Sequence, residues 1–337
     1  MTRCNGSIIG PANEPTNTVA GGVWRLREAA TYLQADEWPS QPAVPPAPTA
    51  VAGNARVSLS WTAPSGGSPI TDYGIEYSSN SGSTWTTFAD GVSTSTSAVV
   101  TGLTNGTAYI FRLVTINPLG EVYGSASASV TPEPAVIALL LHFDGTNGGT
   151  TFTDSSPAAL TVTRNGDAVI STAQSKFGGA SGYFDGAGDY LTAPSSALSG
   201  LGDGDFTIEA FIRADADNLN AICTVDYDAT GSFWLGLYQG QVACFGNGSQ
   251  VAAGGDVQTG QWHHVAVTRL GGAVTLWLDG ASVGTGSFGS GITLENAIGI
   301  GGGYSGTYPF SGYIDELRIV KGNAVYTGNF TPPTAPF

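Results

Sequence analysis

Residues 261–279 read QWHHVAVTRLGGAVTLWLD, and the folding of this stretch decides the class of the whole chain. Apolar and polar or small residues alternate on both sides of LGG, which is the period of a strand rather than of a helix. The reading is a hairpin. One strand ends at Arg269, LGG turns, and AVTLWLDG returns with Val274, Leu276 and Leu278 on one side. The same alternation separates the two adjacent histidines. Trp262, His264, Ala266 and Thr268 share one face, and His263, Val265 and Val267 share the other. Neighbours on opposite faces cannot ligate one metal or act as a catalytic pair, so WHH reads as part of a sheet wall.

Working outward, the composition supports the same class. Of 337 residues, 41% are hydrophobic and 11% are charged, with 49 glycines. That is enough apolar surface for real cores, with the many tight turns of an all-β protein and a length that suits two domains. The 26 acidic residues outnumber 11 basic ones, giving a net charge of −15. Such a field repels phosphate backbones and anionic bilayers, which excludes nucleic acid as a partner and disfavours a membrane surface. Three cysteines, Cys4, Cys223 and Cys244, are too few and too odd for a disulfide framework. Cys223 and Cys244 fall on the outer segments of the meander AICTVD, SFWLGLY, QVACF, roughly 9–10 Å apart and beyond disulfide reach. Free thiols are expected, compatible with assembly in a reducing cytoplasm. MTRCNGSIIG lacks the pattern of a signal peptide, and the longest apolar run, AVIALLL (135–141), is a buried strand too short to insert in a membrane.

The chain divides into segments. Residues 1–40 hold the one convincing helical pattern, GGVWRLREAATYLQADEWP, with Val23, Leu26, Ala30 and Leu33 on a single stripe beside Trp24 and Pro39 as the stop. About two heptads is short for an independent coiled coil, so the stripe docks on the chain's own next domain or on another subunit. Residues 41–47 are a Pro-rich linker, read as extended and semi-rigid. Residues 48–132 alternate with period two and carry turns at regular intervals, the pattern of a small β-sandwich. Trp61, Tyr73, Leu103, Tyr109 and Asn117 stand where this segment resembles a fibronectin type III domain, including the tyrosine-corner arrangement in LTNGTAYIFRLVTIN. Without an Arg-Gly-Asp tripeptide, the resemblance implies a spacer or interaction module.

Residues 134–337 form one long all-β stretch with about a dozen strand candidates. LLLHFDG, SGYFDGAGDYLTAP, DFTIEAFIRA, QWHHVAVTRLGGAVTLWLDG and PFSGYIDELRIVKGNAVYTGNFTPP occur in the order of concanavalin A-like, laminin-G-like jelly rolls, which the segment resembles. The resemblance implies two packed antiparallel sheets. Its Trp-x-His-Val-Ala pattern maps onto Trp262, His264, Val265 and Ala266, and implies that His264 is structural.

Four kinds of chemistry have candidate residues in this segment. His142 has no nucleophile elbow or reactive-looking cysteine to complete a triad. The only glutamates after Pro134 are Glu209, Glu295 and Glu316, none in the paired pattern of a glycosidase, and Asp315 and Glu316 are strand neighbours facing opposite ways. The expectation is therefore no enzyme. For a cation, Asp144, Asn147 and Asp154 near the start of the segment and Asp315 near its end offer oxygens that adjacent terminal strands bring together; calcium is what the resemblance implies, against turn-forming Asp and Asn. For sugar, Tyr304 and Tyr308 in GGGYSGTYPF, with Tyr227 and Trp234 in DYDATGSFW, are candidate loop platforms.

The layout resembles a bacteriophage virion appendage, a tail-fibre, tail-associated or capsid-fibre subunit. The head carries PT…GVW-L-E…WP, a pattern recurring in such proteins. The resemblance implies other virion proteins as partners of residues 1–40, host surface polysaccharide as a ligand of the jelly roll, homo-oligomers such as trimers, and assembly in the host cytoplasm. The rival expectations are a carbohydrate-binding module or adhesin of a secreted bacterial system, and a glycan depolymerase.

Overall fold

A computed structural model describes residues 40–195, 201, 204–216, 219–225, 232–287, 297–303 and 306–337. The expected N-terminal helix, with Val23, Trp24, Leu26, Ala30 and Leu33, lies outside the described residues, as do Cys4, Tyr227 and Tyr304. Every named element among the described residues is a strand.

The first domain packs two sheets. Strands β1 (Thr49–Gly53), β2 (Arg56–Ser60) and β5 (Ser97–Thr101) form one. The other runs β4 (Thr86–Phe88), β3 (Asp72–Ser78), β6 (Ile110–Asn117), β7 (Gly120–Tyr123). Alternate residues of these strands (Val57, Leu59, Ile75, Val100, Phe111 and Leu113) meet in the core, with Tyr109 and Leu103 beside them. The Tyr109 hydroxyl accepts the Thr104 N–H at 3.2 Å, closing the tyrosine corner. GSASASVTP contributes only an isolated bridge, Tyr109 to Val130. The Pro-rich segment is laid along this domain rather than standing free of it. Prolines have no N–H, but their neighbours' carbonyls accept: Ala43 from the Thr115 hydroxyl (2.7 Å) and Ser40 from the Asn117 amide (2.9 Å).

The second domain is a two-sheet sandwich. One sheet runs β10 (Val169–Ser171), β11 (Ser181–Asp185), β22 (Ser311–Lys321), β13 (Phe206–Ala214), β18 (His263–Leu270), β19 (Ala273–Leu278), β20 (Ala281–Ser287), with β8 (Val136–Leu141) also on β22. The other runs β17 (Ser249–Asp256), β16 (Gln241–Gly246), β15 (Phe233–Tyr238), β14 (Leu219–Val225), β21 (Ile298–Ile300), β12 (Tyr190–Ala193), β9 (Thr163–Asn165). All neighbours pair antiparallel. The hairpin of the opening stretch is β18–β19, turned by Gly271 and Gly272, both at positive φ. Val265, Val267, Val274, Leu276 and Leu278 enter the core, and His264 points to the outer face. Cys223 and Cys244 are buried free thiols on β14 and β16, with β15 between them. Burial raises both, Cys223 to about 12.

On the outer face of the larger sheet, residues 322–337 cross back over the strands. Tyr326 and Phe330 stack at 3.5 Å, and both meet His264 edge-on. Beneath them Glu209 is fully buried. One of its oxygens accepts Arg318 Nε and Nη2, and the other accepts the Tyr326 hydroxyl (2.7 Å) and His264 Nε2 (3.1 Å). At one open side of the sandwich the sheets come into backbone contact. A Cβ on Gly254 would run into the Val283 carbonyl, and one on Gly286 into the Val251 carbonyl, so β17 and β20 approach only as glycines.

The two domains are clamped together at one end of the sandwich. The β1–β2 hairpin carries Arg56, whose Nε lies 2.8 Å from Asp205, a residue 1% exposed just before β13. The second Asp205 oxygen accepts the Gly271 N–H at 2.8 Å. Its carbonyl accepts Gly322 N–H, and the Gly322 carbonyl accepts Asn54 N–H, each at 2.7 Å. A side chain at Gly53 would meet the Asp205 carboxylate at 2.6 Å, so the close approach requires glycine there.

Candidate functional site

The sequence places four cation candidates at the ends of the domain, and the antiparallel pairing of β8 with β22 does bring those ends together. Three of the four side chains are otherwise employed. Asp154, buried, accepts the N–H groups of Leu140, Ser156 and Leu160 and the Ser156 hydroxyl. Burial raises its pKa, but these four donors outweigh it and hold the carboxyl below its ordinary range. Asn147 accepts Thr172 N–H at 3.1 Å. Asp315 accepts Lys176 and Phe177 N–H on one oxygen, and its other oxygen is buried without a partner. Asp144 is exposed beside Gly178, where a Cβ would overlap its carboxylate. These residues are not gathered into one cage: N–H groups occupy Asp154, Asn147 and one Asp315 oxygen, and the three carboxylates do not converge. Among the described residues, the carboxylates that do gather are Asp167, Asp185 and Asp189, within 4.8 Å of one another, and both Asp189 oxygens accept N–H groups, from Asp167 and Asp185.

Asp315 and Glu316 do not simply alternate either. The register of β22 against β13 slips between Glu209 and Phe211, and Glu316 takes φ 49. This bulge buries both carboxyls. Glu316 holds His142 Nδ1 at 2.9 and 3.0 Å, and accepts Phe337 N–H. Burial, with the Glu316 charge adding to it against several N–H donors, pushes Asp315 up to about 7. The folded state then holds a proton that the unfolded chain releases near pH 4, so stability falls as pH rises from about 4 through about 7. Asp315→Asn is expected to flatten that decline, a change on the order of 3 kcal/mol across the window in denaturant titrations. An unchanged slope would refute the assignment.

The predicted platforms fall on the other sheet. Trp234 is not in a loop but in the middle of β15, 1% exposed, lying over Gly236 with Phe245 edge-on at 5.2 Å. Tyr308 is half-buried and packs against the same cluster with Ala221 and Ala243. Small residues on β14 and β16 admit the indole and bury it, so Trp234 is not an open platform.

An aromatic surface that the sequence reading passed over lies on the outer face of the larger sheet. Tyr183 of β11 and Tyr313 of β22 are cross-strand partners with ring centroids 4.9 Å apart. Arg213, opposite Tyr313 on β13, stands 5.7 Å over its ring and is tied to Asp215 at 3.0 Å. The trio Asp167, Asp185 and Asp189 adjoins this patch. Tyr183 is raised by burial and then by the charges of Tyr313, Asp215, Asp185 and Asp189. The patch sits at the Ala214 end of β13, and the clamp sits at its Phe206 end. Nine residues of strand separate them, about 26 Å. The signal was available in SGYFDG and FSGYID, where each Tyr is out of phase with a core neighbour, Phe184 and Ile314.

Residues 43–131 match the fibronectin type III domain, and residues 185–324 match the concanavalin A-like lectin/glucanases superfamily. The chain thus carries a fibronectin type III domain and a laminin-G-like jelly-roll domain. Among solved structures, domain 4 of an extracellular arabinanase from Geobacillus stearothermophilus, in complex with arabinotriose, is similar at 19% identity and TM-score 0.43, over 56% of this chain and 93% of that one. The botulinum neurotoxin serotype C1 binding domain is similar at 14% identity and TM-score 0.42, over 55% of this chain and 48% of that one. Titin domains A168–A170 share 27% identity at TM-score 0.25, over 27% of this chain and 32% of that one.

Proposed function

We propose that this protein works by adhesion, without catalysis: the fibronectin type III domain is a stem, and the jelly roll carries a glycan-binding surface at its far end. The observation that carries the reading is the Tyr183–Tyr313 pair flanked by the Arg213–Asp215 ion pair. Half-exposed tyrosines stack on the apolar face of a sugar ring, and fixed carboxylates and a guanidinium hydrogen-bond its hydroxyls. Asp167, Asp185, Asp189 and Asp215 against Arg213 leave the surface negative, which favours neutral over acidic polysaccharide. Single sites of this kind are weak and gain strength from many copies.

Immobilised polysaccharides probed with the protein provide the test. Tyr313→Ala is expected to lower apparent affinity at least tenfold on any glycan that binds, with an unchanged melting temperature. Retention of full binding by Tyr183→Ala and Tyr313→Ala together would sink the apex as the site. Turnover of a bound polysaccharide would overturn the non-enzymatic reading.

The finer reading is a bacteriophage virion appendage held by residues 1–40. The head's sequence pattern and the order of the modules support it. It requires that particles assembled with a chain lacking residues 1–39 omit this protein; normal incorporation would refute it.

A further inference from the structure

A cavity of about 200 Å³ opens where β8 leaves the sheet edge. Its floor is apolar: Leu141, Phe143, Phe152 and Ile170, with the two phenylalanine rings edge-to-face at 5.9 Å. Its rim is polar: His142, Asp144 and the exposed hydroxyls of Thr151, Thr153 and Ser155.

Two features show that the cavity is built rather than incidental. Phe143 is held at φ 57, a left-handed conformation that costs a non-glycine residue about 1–3 kcal/mol and persists only where surroundings enforce it. The enforcement is visible: the ring lies so close over Gly182 that a Cβ there would sit 2.5 Å from it. The second feature is the imidazole. Glu316, itself 1% exposed, takes His142 Nδ1 on both oxygens, which fixes the ring and leaves Nε2 as its second hydrogen-bonding atom. Nε2 has no partner among the described residues. Across the rim, the Asp144 carboxylate is an acceptor, given room by Gly178.

We propose that this cavity is a second ligand site, for one neutral sugar ring. Drug-sized ligands need roughly 300 Å³ or more, so this volume suits a single ring. An apolar floor takes the C–H face of the ring, and an imidazole nitrogen, a carboxylate and three hydroxyls match its hydroxyl edge. The rim carboxylate repels an acidic sugar, and one carboxylate beside an imidazole is too little anionic oxygen for a hard cation. The inference rests on the jelly roll being a glycan-binding module, but not on the Tyr183–Tyr313 surface.

Saturation-transfer NMR on the full chain decides it, with methyl galactoside, methyl glucoside, methyl mannoside and methyl arabinoside as probes and methyl glucuronide as the charged comparison. At least one neutral glycoside is expected to bind. Asp144→Ala should weaken it tenfold or more, and Thr151→Trp, at an exposed wall position where folding is undisturbed, should abolish it. Both effects are read in a chain that already carries Tyr183→Ala and Tyr313→Ala, so that the apex contributes no signal. The proposal is overturned if no neutral glycoside binds that chain, if the glucuronide binds equally well, or if Asp144→Ala and Thr151→Trp both leave binding within twofold. Loss of polysaccharide binding in Tyr313→Ala reports on the apex alone, so the two readings fail separately.

Discussion

Glu209→Gln is expected to destabilise the protein by about 3–5 kcal/mol, the scale for breaking a buried ion pair from one side. At about 2–4 °C per kcal/mol for a domain of this size, the melting temperature should fall on the order of 10 °C. The carboxylate accepts four donors from Arg318, His264 and Tyr326 with no solvent to replace it. A glutamine amide would turn one acceptor into a donor facing donors and leave the Arg318 charge uncompensated. Burial pushes the Glu209 pKa up, but the His264 hydrogen bond and the Arg318 charge outweigh it and hold it below the ordinary value. The network therefore stabilises above the unfolded carboxyl's pKa and is lost as pH falls through the lower folded one. Acid unfolding of the Gln variant should lack that component. A variant as stable as the parent at pH 7 would show that the tail, rather than the charge network, holds this face.

The second large effect is expected at Asp205. Its two oxygens serve different domains, Arg56 of the stem and Gly271 of the jelly-roll hairpin. Asp205→Ala strands a guanidinium that is already short of partners, since Arg56 Nη2 is buried with none. A loss of about 3–5 kcal/mol in the coupling between domains follows. Linked domains move relative to one another unless an interface prevents it. Small-angle scattering should accordingly show the variant spreading into a broader range of sizes, while each domain keeps its own secondary structure by circular dichroism. A scattering curve identical to the parent's would mean that the Asn54–Gly322 contact suffices alone.

What the sequence made legible followed from local rules. Alternation placed His263 and His264 on opposite faces, and the LGG turn set the β18–β19 register to within a residue. The tyrosine corner and the meander separating Cys223 from Cys244 were equally local. What escaped depended on register between distant strands. Nothing near Tyr183 announces Tyr313 as its cross-strand partner, and nothing near Arg56 announces Asp205. Nor does anything near His263 announce Asp279, which from the β19–β20 turn holds its Nδ1 at 2.7 Å and raises its pKa. Asp144, Asn147, Asp154 and Asp315 were the right kind of residue in neighbouring places. Composition does not reveal that backbone N–H groups would claim Asp154, Asn147 and one Asp315 oxygen, or that the carboxylates would not converge. Trp234 misled for a related reason: the glycine and alanines that make room for its ring lie on its own and neighbouring strands, and they turn an aromatic on a sheet surface into a buried one.

β13 has its two ends in different settings: Asp205 in the clamp just before Phe206, and Arg213 beside Tyr313 at the far end. A pull on the apex is therefore received by the same strand whose root is bolted to the stem. β13 pairs with β22 from Phe206 to Ala214 and with β18 from Phe206 to Ile212, so tension along it is shared sideways across both ladders over most of its length. The clamp holds by one ion pair and a few backbone bonds, far fewer than the ladders that flank β13. Under load the joint should yield before either domain unravels, a hinge released by strain that reseals when the pull stops.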